Sequence, residues 1–319
     1  MYLLEAATGK RLNSVYLGDH GAEPNREARL HSYQDSVLIV GCNGKVFGLH
    51  PTTLHKIWGP HDLKKGDGDV NVGVRMGVVY AACNGYIFTI ERETGKRLAS
   101  NGLSFMGDGE VRLAFFPNDF DYVAVGAGGY VKTLHLINLK DAFLFKLQKC
   151  GHEVVNLISH DNFIYAASNT YYYILDAKTG KTVGNERLVS GSSKEEFEVR
   201  LTMAGDRLIV AGSGRVRSCR WNDLWPVWEK RIPNVSKTDV SVIKAEIRTE
   251  AEPDVDIVYA GCTDYVFGLN SINRNIVSEC RIHEQHRYEQ TRLAVNGPNV
   301  IVGNAGRVTC SPLSIYEFD

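Results

Sequence analysis

No stretch of about 18 apolar residues occurs anywhere in the 319-residue chain, so no membrane-crossing helix is expected. The opening "MYLLEAATGKRL" has neither a basic start nor a long apolar core and does not read as a signal peptide. Lys and Arg number 36 against 37 Asp and Glu, for a net charge of −1. Without a basic cluster, a nucleic-acid partner is not expected. The seven cysteines are an odd number, and no Cys-x-x-Cys or Cys-Cys pair is present. A disulfide framework or zinc site is therefore not expected; free thiols and a cytoplasmic setting are. Long 3.6-residue periodicity is also missing, which argues against a helical solenoid.

What the chain does contain is a repeat. The clearest copies begin at Glu110 ("EVRLAFFPNDFDYVAVGAGGYVKTLHL"), Glu153 ("EVVNLISHDNFIYAASNTYYYILDAKTGK") and Glu198 ("EVRLTMAGDRLIVAGSGRVRSCRW"). The tripeptide Thr-Gly-Lys recurs at Thr8, Thr94 and Thr179. Each interval is two periods of about 43 residues, the size of a four-stranded propeller blade. Each unit alternates polar with Val, Ile, Tyr or Phe and is punctuated by Gly and Asn, which is strand chemistry. Asn43-Gly44 and Asn84-Gly85 between apolar runs predict type I′ hairpin turns. The position before that turn is nearly always small (Cys42, Cys83, Ala127, Ser168, Ser213, Cys262, with Asn304 last), which reads as a crowded strand end rather than a metal or redox cluster.

Units begin near residues 27, 69, 110, 153, 198, 239 and 290. The expected architecture is one all-β domain over 1–319, a propeller of seven four-stranded blades. Residues 1–18 are expected to supply closing strands, so that both chain ends share the last blade. An eighth, partial blade is the alternative.

"YYYILDAKTGKTVG" (Tyr171 to Gly184), "GYIFTIERETGKRLA" (from Gly85) and "YLLEAATGKRLN" (from Tyr2) resemble the repeat of quinoprotein-like propellers. In that repeat a docking tryptophan closes each unit, a place taken here by Trp58 and Trp228. The remaining docking positions hold Asn13, Ala99, Phe143, Gly184 and Ser278. WD-repeat propellers are a second kinship, without their Gly-His and Trp-Asp marks at the matching places. The adjacent cysteine pair and calcium-binding carboxylates of quinoprotein dehydrogenases are missing, so the resemblance implies the fold and no bound cofactor or metal.

Two recurring positions are candidate binding residues. An acid opens nearly every unit: Glu27, Asp69, Glu110, Glu153, Glu198 and Asp239, with Glu289 beside Gln290 in the last. Two residues on stand Arg29, Asn71, Arg112, Asn156 beside Val155, Arg200, Ser241 and Arg292. Residues i and i+2 share a strand face, so acid and arginine form a collar on the innermost strands. Either each Arg bridges its own or the next blade's carboxylate, or the collar binds an anionic ligand. The second position follows the tight turn: Lys45, Tyr86, Tyr130, Tyr171, Arg215, Tyr265 and Arg307. Tyr and Arg are favoured anchors for partners.

The sequence favours a non-catalytic scaffold that binds a protein or peptide on one rim or at the channel mouth. A sugar-binding propeller is the alternative. The third reading is an enzyme using a collar carboxylate as base, with His152 or His286 nearby.

Overall fold

The computed structural model describes residues 1–5, 8–17, 28–33, 36–65, 68–104, 106–107, 110–117, 121–148, 150, 154–188, 198–233, 240–246, 256–262, 265–281, 291–296, 299–304 and 307–312. It is a seven-bladed β-propeller with no helix among these residues. The chain divides into two compact units, 1–5 with 10–166 and 177–180, and 6–9 with 167–176 and 181–319.

The first unit opens with a two-stranded hairpin of β1 (Tyr2–Leu4) and β2 (Arg11–Ser14). Blade 1 is β3 (Arg29–Tyr33), β4 (Val37–Cys42), β5 (Lys45–Leu49) and β6 (Lys56–Asp62). Blade 2 is β7 (Asn71–Arg75), β8 (Val78–Cys83), β9 (Tyr86–Glu91) and β10 (Arg97–Gly102). Blade 3 is β11 (Arg112–Phe115), β12 (Tyr122–Ala127), β13 (Tyr130–His135) and β14 (Asp141–Lys146). Blade 4, within which the division falls, holds β15 (Asn156–His160), β16 (Phe163–Ser168), β17 (Tyr171–Asp176) and β18 (Thr182–Arg187).

In the second unit, blade 5 is β19 (Arg200–Ala204), β20 (Arg207–Gly212), β21 (Arg215–Arg220) and β22 (Pro226–Arg231). Blade 6 is β23 (Ser241–Glu246), β24 (Asp256–Cys262), β25 (Tyr265–Asn270) and β26 (Ile276–Arg281). Blade 7 contains β27 (Arg292–Asn296), β28 (Asn299–Asn304) and β29 (Arg307–Pro312) among the described residues. Residues 313–319, where the sequence suggests a short further strand, lie outside them.

The turns follow the sequence. Asn43 and Gly44 have φ of 50° and 68°, and Asn84 and Gly85 have 44° and 71°. Both central residues are left-handed in each case, as a type I′ hairpin demands. The core lies between successive sheets. Val37, Ile39, Val46 and Trp58 of blade 1 pack against Val79, Ala81, Phe88 and Ile90 of blade 2. Blade 5 packs in the same way on blade 6 through Ile209, Val216, Trp228, Val258 and Phe267.

A bulge recurs on the outermost strand. In β2, β6, β10, β14, β18, β22 and β26 the residue before the docking position is left without a partner: Leu12, Ile57, Leu98, Ala142, Val183, Val227 and Val277, with a second irregularity at Gly59-Pro60 in β6. A bulge turns the following side chain relative to the sheet. That following residue is the docking position. Trp58 Nε1 donates to the Arg92 carbonyl at 2.6 Å, and Trp228 Nε1 to the Ser271 carbonyl at 2.9 Å, each in the next blade. Asn13 Nδ2 makes the corresponding bond to the Thr53 carbonyl, seating the first hairpin on blade 1.

Each described receiving turn has a left-handed residue (Leu54, Gly95, Leu139, Gly180, Leu224 or Arg274), and apart from Arg274 below Trp228 its size answers the docking group. Gly95 (φ +73°) faces Trp58, and Gly180 (φ +68°) faces Phe143; a Cβ on either would meet ring carbon within 2.7 Å. Where the docking residue is Ala99 or Gly184, the receiving turn has buried Leu139 or Leu224, at φ 54° and 62°. A leucine at positive φ costs about 1–2 kcal/mol, offset by burying its side chain. The departures from tryptophan at Ala99, Phe143 and Gly184 are therefore matched downstream.

Candidate functional site

The collar is described for each unit separately. In the first, three innermost strands converge on one carboxylate. Arg112 Nε lies 2.8 Å from Glu110 Oε1, and its Nη2 donates to Oε2 at 3.1 Å. Arg29 Nη2 of blade 1 reaches the same Oε1 at 2.9 Å. Between them, Asn71 Nδ2 of blade 2 donates to Oε1 at 3.1 Å and to the Val111 carbonyl at 2.7 Å. The three charged side chains retain only 13–18% of their exposure. The expectation that each arginine serves its own or the next blade's acid holds for Arg112. Arg29 also reaches past Asn71 of blade 2 to the acid of blade 3.

In the second unit Glu198 accepts from Arg200 Nη2, again as an i, i+2 pair on one strand face. Arg292 opens β27, and Ser241 at the equivalent place of blade 6 donates to the Thr291 carbonyl. Glu27, Glu153, Asp239, Glu289 and Gln290 lie outside the described residues, as do His152 and His286.

The second recurring position begins each third strand, and the last residue of the fourth strand stands opposite it. Tyr130 pairs with Lys146, whose Nζ lies 5.7 Å from the ring centroid. Tyr171 pairs with Arg187 at 5.5 Å, and Tyr265 with Arg281 at 6.0 Å. Tyr86 faces Gly102 and receives Lys65 Nζ at 3.5 Å. In blade 5 the pair is Arg215 and Arg231, and Glu229 binds Arg215. Arg307 opens β29, but its side chain is outside the described set. These rims are thus built of rings and cations held in register.

One constellation was not anticipated. The third residue of the third strand is Phe47, Phe88, Tyr173 or Phe267 in four blades. In blade 5 it is Arg217, which donates to the Tyr172 hydroxyl (3.1 Å), the carbonyls of Arg187 (2.8 Å) and Leu188 (2.9 Å), and Glu229 Oε2. Tyr172 also meets Cys219 Sγ at 3.5 Å. Burial pushes the Tyr172 hydroxyl well up and the Cys219 thiol up to about 11. Burial also opposes ionisation of Glu229, but bonds from Arg217 and Arg215 outweigh it and hold that carboxyl below its usual range. A proton here stays in place near neutral pH, so the network fastens blade 4 to blade 5. Lys132 fills the same position in blade 3, its Nζ 2.7 Å from Asp141. A cation in a column that is aromatic in four blades is the sequence signal that would have found both. Among the described residues no cluster of His, Cys, Asp or Glu has metal-binding geometry.

The class defined by this architecture is the seven-bladed β-propeller. No family model and no curated protein matches the sequence. Solved structures do. BamB from Moraxella catarrhalis superposes with a TM-score of 0.65 at 16% identity, covering 89% of this chain and 83% of that one. The C-terminal WD40 domain of Sif2 gives 0.65 at 12%, covering 90% and 80%. A quinohemoprotein alcohol dehydrogenase from Pseudomonas putida gives 0.60 at 11%, covering 73% of this chain and half of its own. At these identities the likeness establishes the fold.

Proposed function

We propose that the protein is a non-catalytic scaffold that binds a protein or peptide partner at the rim formed by the third-strand starts. The observation that carries this reading is the register of Tyr or Arg against a cation at the end of the fourth strand. Tyrosine and arginine contribute disproportionately to protein interfaces. Pre-positioning them by cation–π contact lowers the entropy lost on binding. The collar supports the same reading from the other side, because Arg29, Arg112 and Asn71 already satisfy Glu110 within the molecule. Five buried cysteines outside any disulfide among the described residues fit a reducing, cytoplasmic setting.

The test is affinity capture from cells in which the protein occurs, with quantitative mass spectrometry and a Tyr130→Ala/Arg215→Ala variant run in parallel. A partner retained by the wild type and lost by the folded variant is expected. Enrichment that ignores the rim substitutions would sink the proposal.

A further inference from the structure

The turn that seats the first hairpin is tied to a histidine ring. His50 follows β5 and opens the turn to β6. Its Nδ1 lies 3.4 Å from the amide nitrogens of both Thr52 and Thr53, which donate to it, and 3.1 Å from the Thr52 hydroxyl. A ring nitrogen accepts only with its lone pair free, so these bonds need a neutral imidazole protonated on Nε2. Asn270 stands equally far past the third-strand start of blade 6, and its Oδ1 accepts from Ile272 N at 2.9 Å and Asn273 N at 3.0 Å. Glu91 holds that place in blade 2 and accepts from the Thr94 hydroxyl. In these blades the position supplies an acceptor that caps the turn. In blade 1 the acceptor is one that a proton removes near neutrality.

Thr53 joins this cap to the hairpin: its amide bonds His50, and its carbonyl accepts from Asn13 Nδ2 of β2. Behind that bond, Met1 and Val15 pack on the buried Leu17, Val40, Cys42, Phe47 and Leu49. A hairpin with strands of three and four residues does not hold by itself, so its place depends on this seat. The charged and titratable groups on the surrounding elements are His55 and Lys56 of blade 1, and Met1, Glu5, Lys10 and Arg11 of the hairpin. Lys56 lies over the Phe47 ring, Arg11 over the Tyr2 ring, and the Met1 ammonium donates to the Val15 carbonyl. Glu5 and Lys10 close the hairpin turn through their backbones. Among the described residues no carboxylate is paired with His50 to hold an imidazolium in place.

We propose that His50 is a pH-operated latch for the N-terminal hairpin, and that protonation at Nδ1 releases β1 and β2 from blade 1. The new N–H can donate to the Thr52 hydroxyl, which turns to accept it. The two backbone amides cannot turn; they lose their acceptor and face a cation. Seating is therefore complete above the ordinary histidine range, around pH 6.5, and is lost as pH falls through it. Release uncovers Cys42 and Phe47 of blade 1. The latch is independent of the scaffold reading.

The experiment is hydrogen–deuterium exchange of the full chain at about pH 7.5 and about pH 5.5, on either side of the histidine range. Each rate is corrected for the intrinsic pH dependence of amide exchange. Expected in the wild type is a roughly tenfold loss of protection in residues 1–16 at the lower pH, as one or two hydrogen bonds are worth. The strands of blade 5 are the reference and are expected to change little. His50→Asn, which restores the cap seen at Asn270, is expected to keep the hairpin protected at both pH values. His50→Ala is expected to lose protection at both. His55→Gln leaves the His50 ring in place and is expected to behave as the wild type does, which keeps the test open should the His50 variants not fold. Equal wild-type protection at both pH values, a loss that blade 5 shares, an acid loss that persists in His50→Asn, or one abolished by His55→Gln would each overturn the proposal.

Discussion

Trp58 fills the space that a side chain on Gly95 would need. A Cβ at Gly95 would stand 2.7 Å from Cδ2 of the indole, while the indole nitrogen bonds the Arg92 carbonyl in the same turn. Docking residue and receiving residue thus share one volume between two blades. Phe143 and Gly180 divide it in the same sense, and Ala99 and Leu139 in the opposite one.

This exchange predicts a compensating swap. Trp58→Ala is expected to cost about 3–5 kcal/mol, as large-to-small core changes do. Gly95→Leu alone overpacks the contact and adds left-handed strain, for about 3 kcal/mol. Together the two substitutions reproduce the Ala99–Leu139 arrangement, and the double variant is expected to melt above either single one. Additive losses in denaturant unfolding would refute the shared volume. Gly77→Ala is the control: its φ is +75°, but nothing lies within 4 Å of its Cβ position. It should lose only about 1 kcal/mol.

Removing the collar's carboxylate should hurt more than removing one of its cations. Glu110→Gln leaves Arg29 and Arg112 facing each other with little water, and is expected to cost about 2–3 kcal/mol. Arg29→Met leaves the Arg112 pair intact and is expected to cost about 1 kcal/mol. A thermal melt of Glu110→Gln indistinguishable from wild type would mean that the collar does not support the fold.

Glu229 gives the second unit an acid-side dependence. Its carboxyl is held below the ordinary 4.5, so its contribution is complete above that pH and is lost as pH falls through the lowered native value. Melting temperature against pH is therefore expected to fall less steeply below about pH 4.5 for Glu229→Gln than for wild type. Parallel curves would exclude the Arg215–Glu229–Arg217 bonds as its source.

Brief alkylation of the native protein should discriminate among thiols. Cys280 is exposed, whereas Cys42, Cys83, Cys150, Cys219 and Cys262 are buried. Reactivity needs an accessible thiolate, and burial raises the Cys219 and Cys42 thiols. Peptide mapping is expected to find Cys280 labelled well ahead of the other five. Early labelling of Cys219 would mean that blades 4 and 5 separate readily.

The sequence carries the blade period and the Asn-Gly turns because both are local: a hairpin's φ requirement is met by adjacent residues. It also marks Glu110 and Arg112 as neighbours, since two residues along a strand share a face. The reach of Arg29 to Glu110 is not legible that way, because it spans from blade 1 to blade 3 past Asn71. Arg217 is a different case. Its column is aromatic in Phe47, Phe88 and Phe267, so the departure is visible in an alignment of the blades, but its acceptors at Arg187 and Leu188 are backbone atoms without a residue signature. The Trp58–Gly95 exchange lay in plain view as a variable docking position and a recurring Thr-Gly-Lys, yet the two belong to successive repeats and nothing local ties one to the other.

The recurrent bulge at Leu12, Ile57, Leu98 and their equivalents also bears on self-association. An uninterrupted edge strand offers a row of amides and carbonyls on which another chain can polymerise. Here each described outermost strand breaks that row beside its docking residue, and the apolar side chain at the break is pushed out to 57% exposure at Leu12 and 52% at Leu98. An incoming strand would have to break register at the same point to continue the sheet. The device that aims Trp58 and Trp228 inward therefore also guards the perimeter against fibre growth, so the apolar residues it exposes need not make the protein sticky.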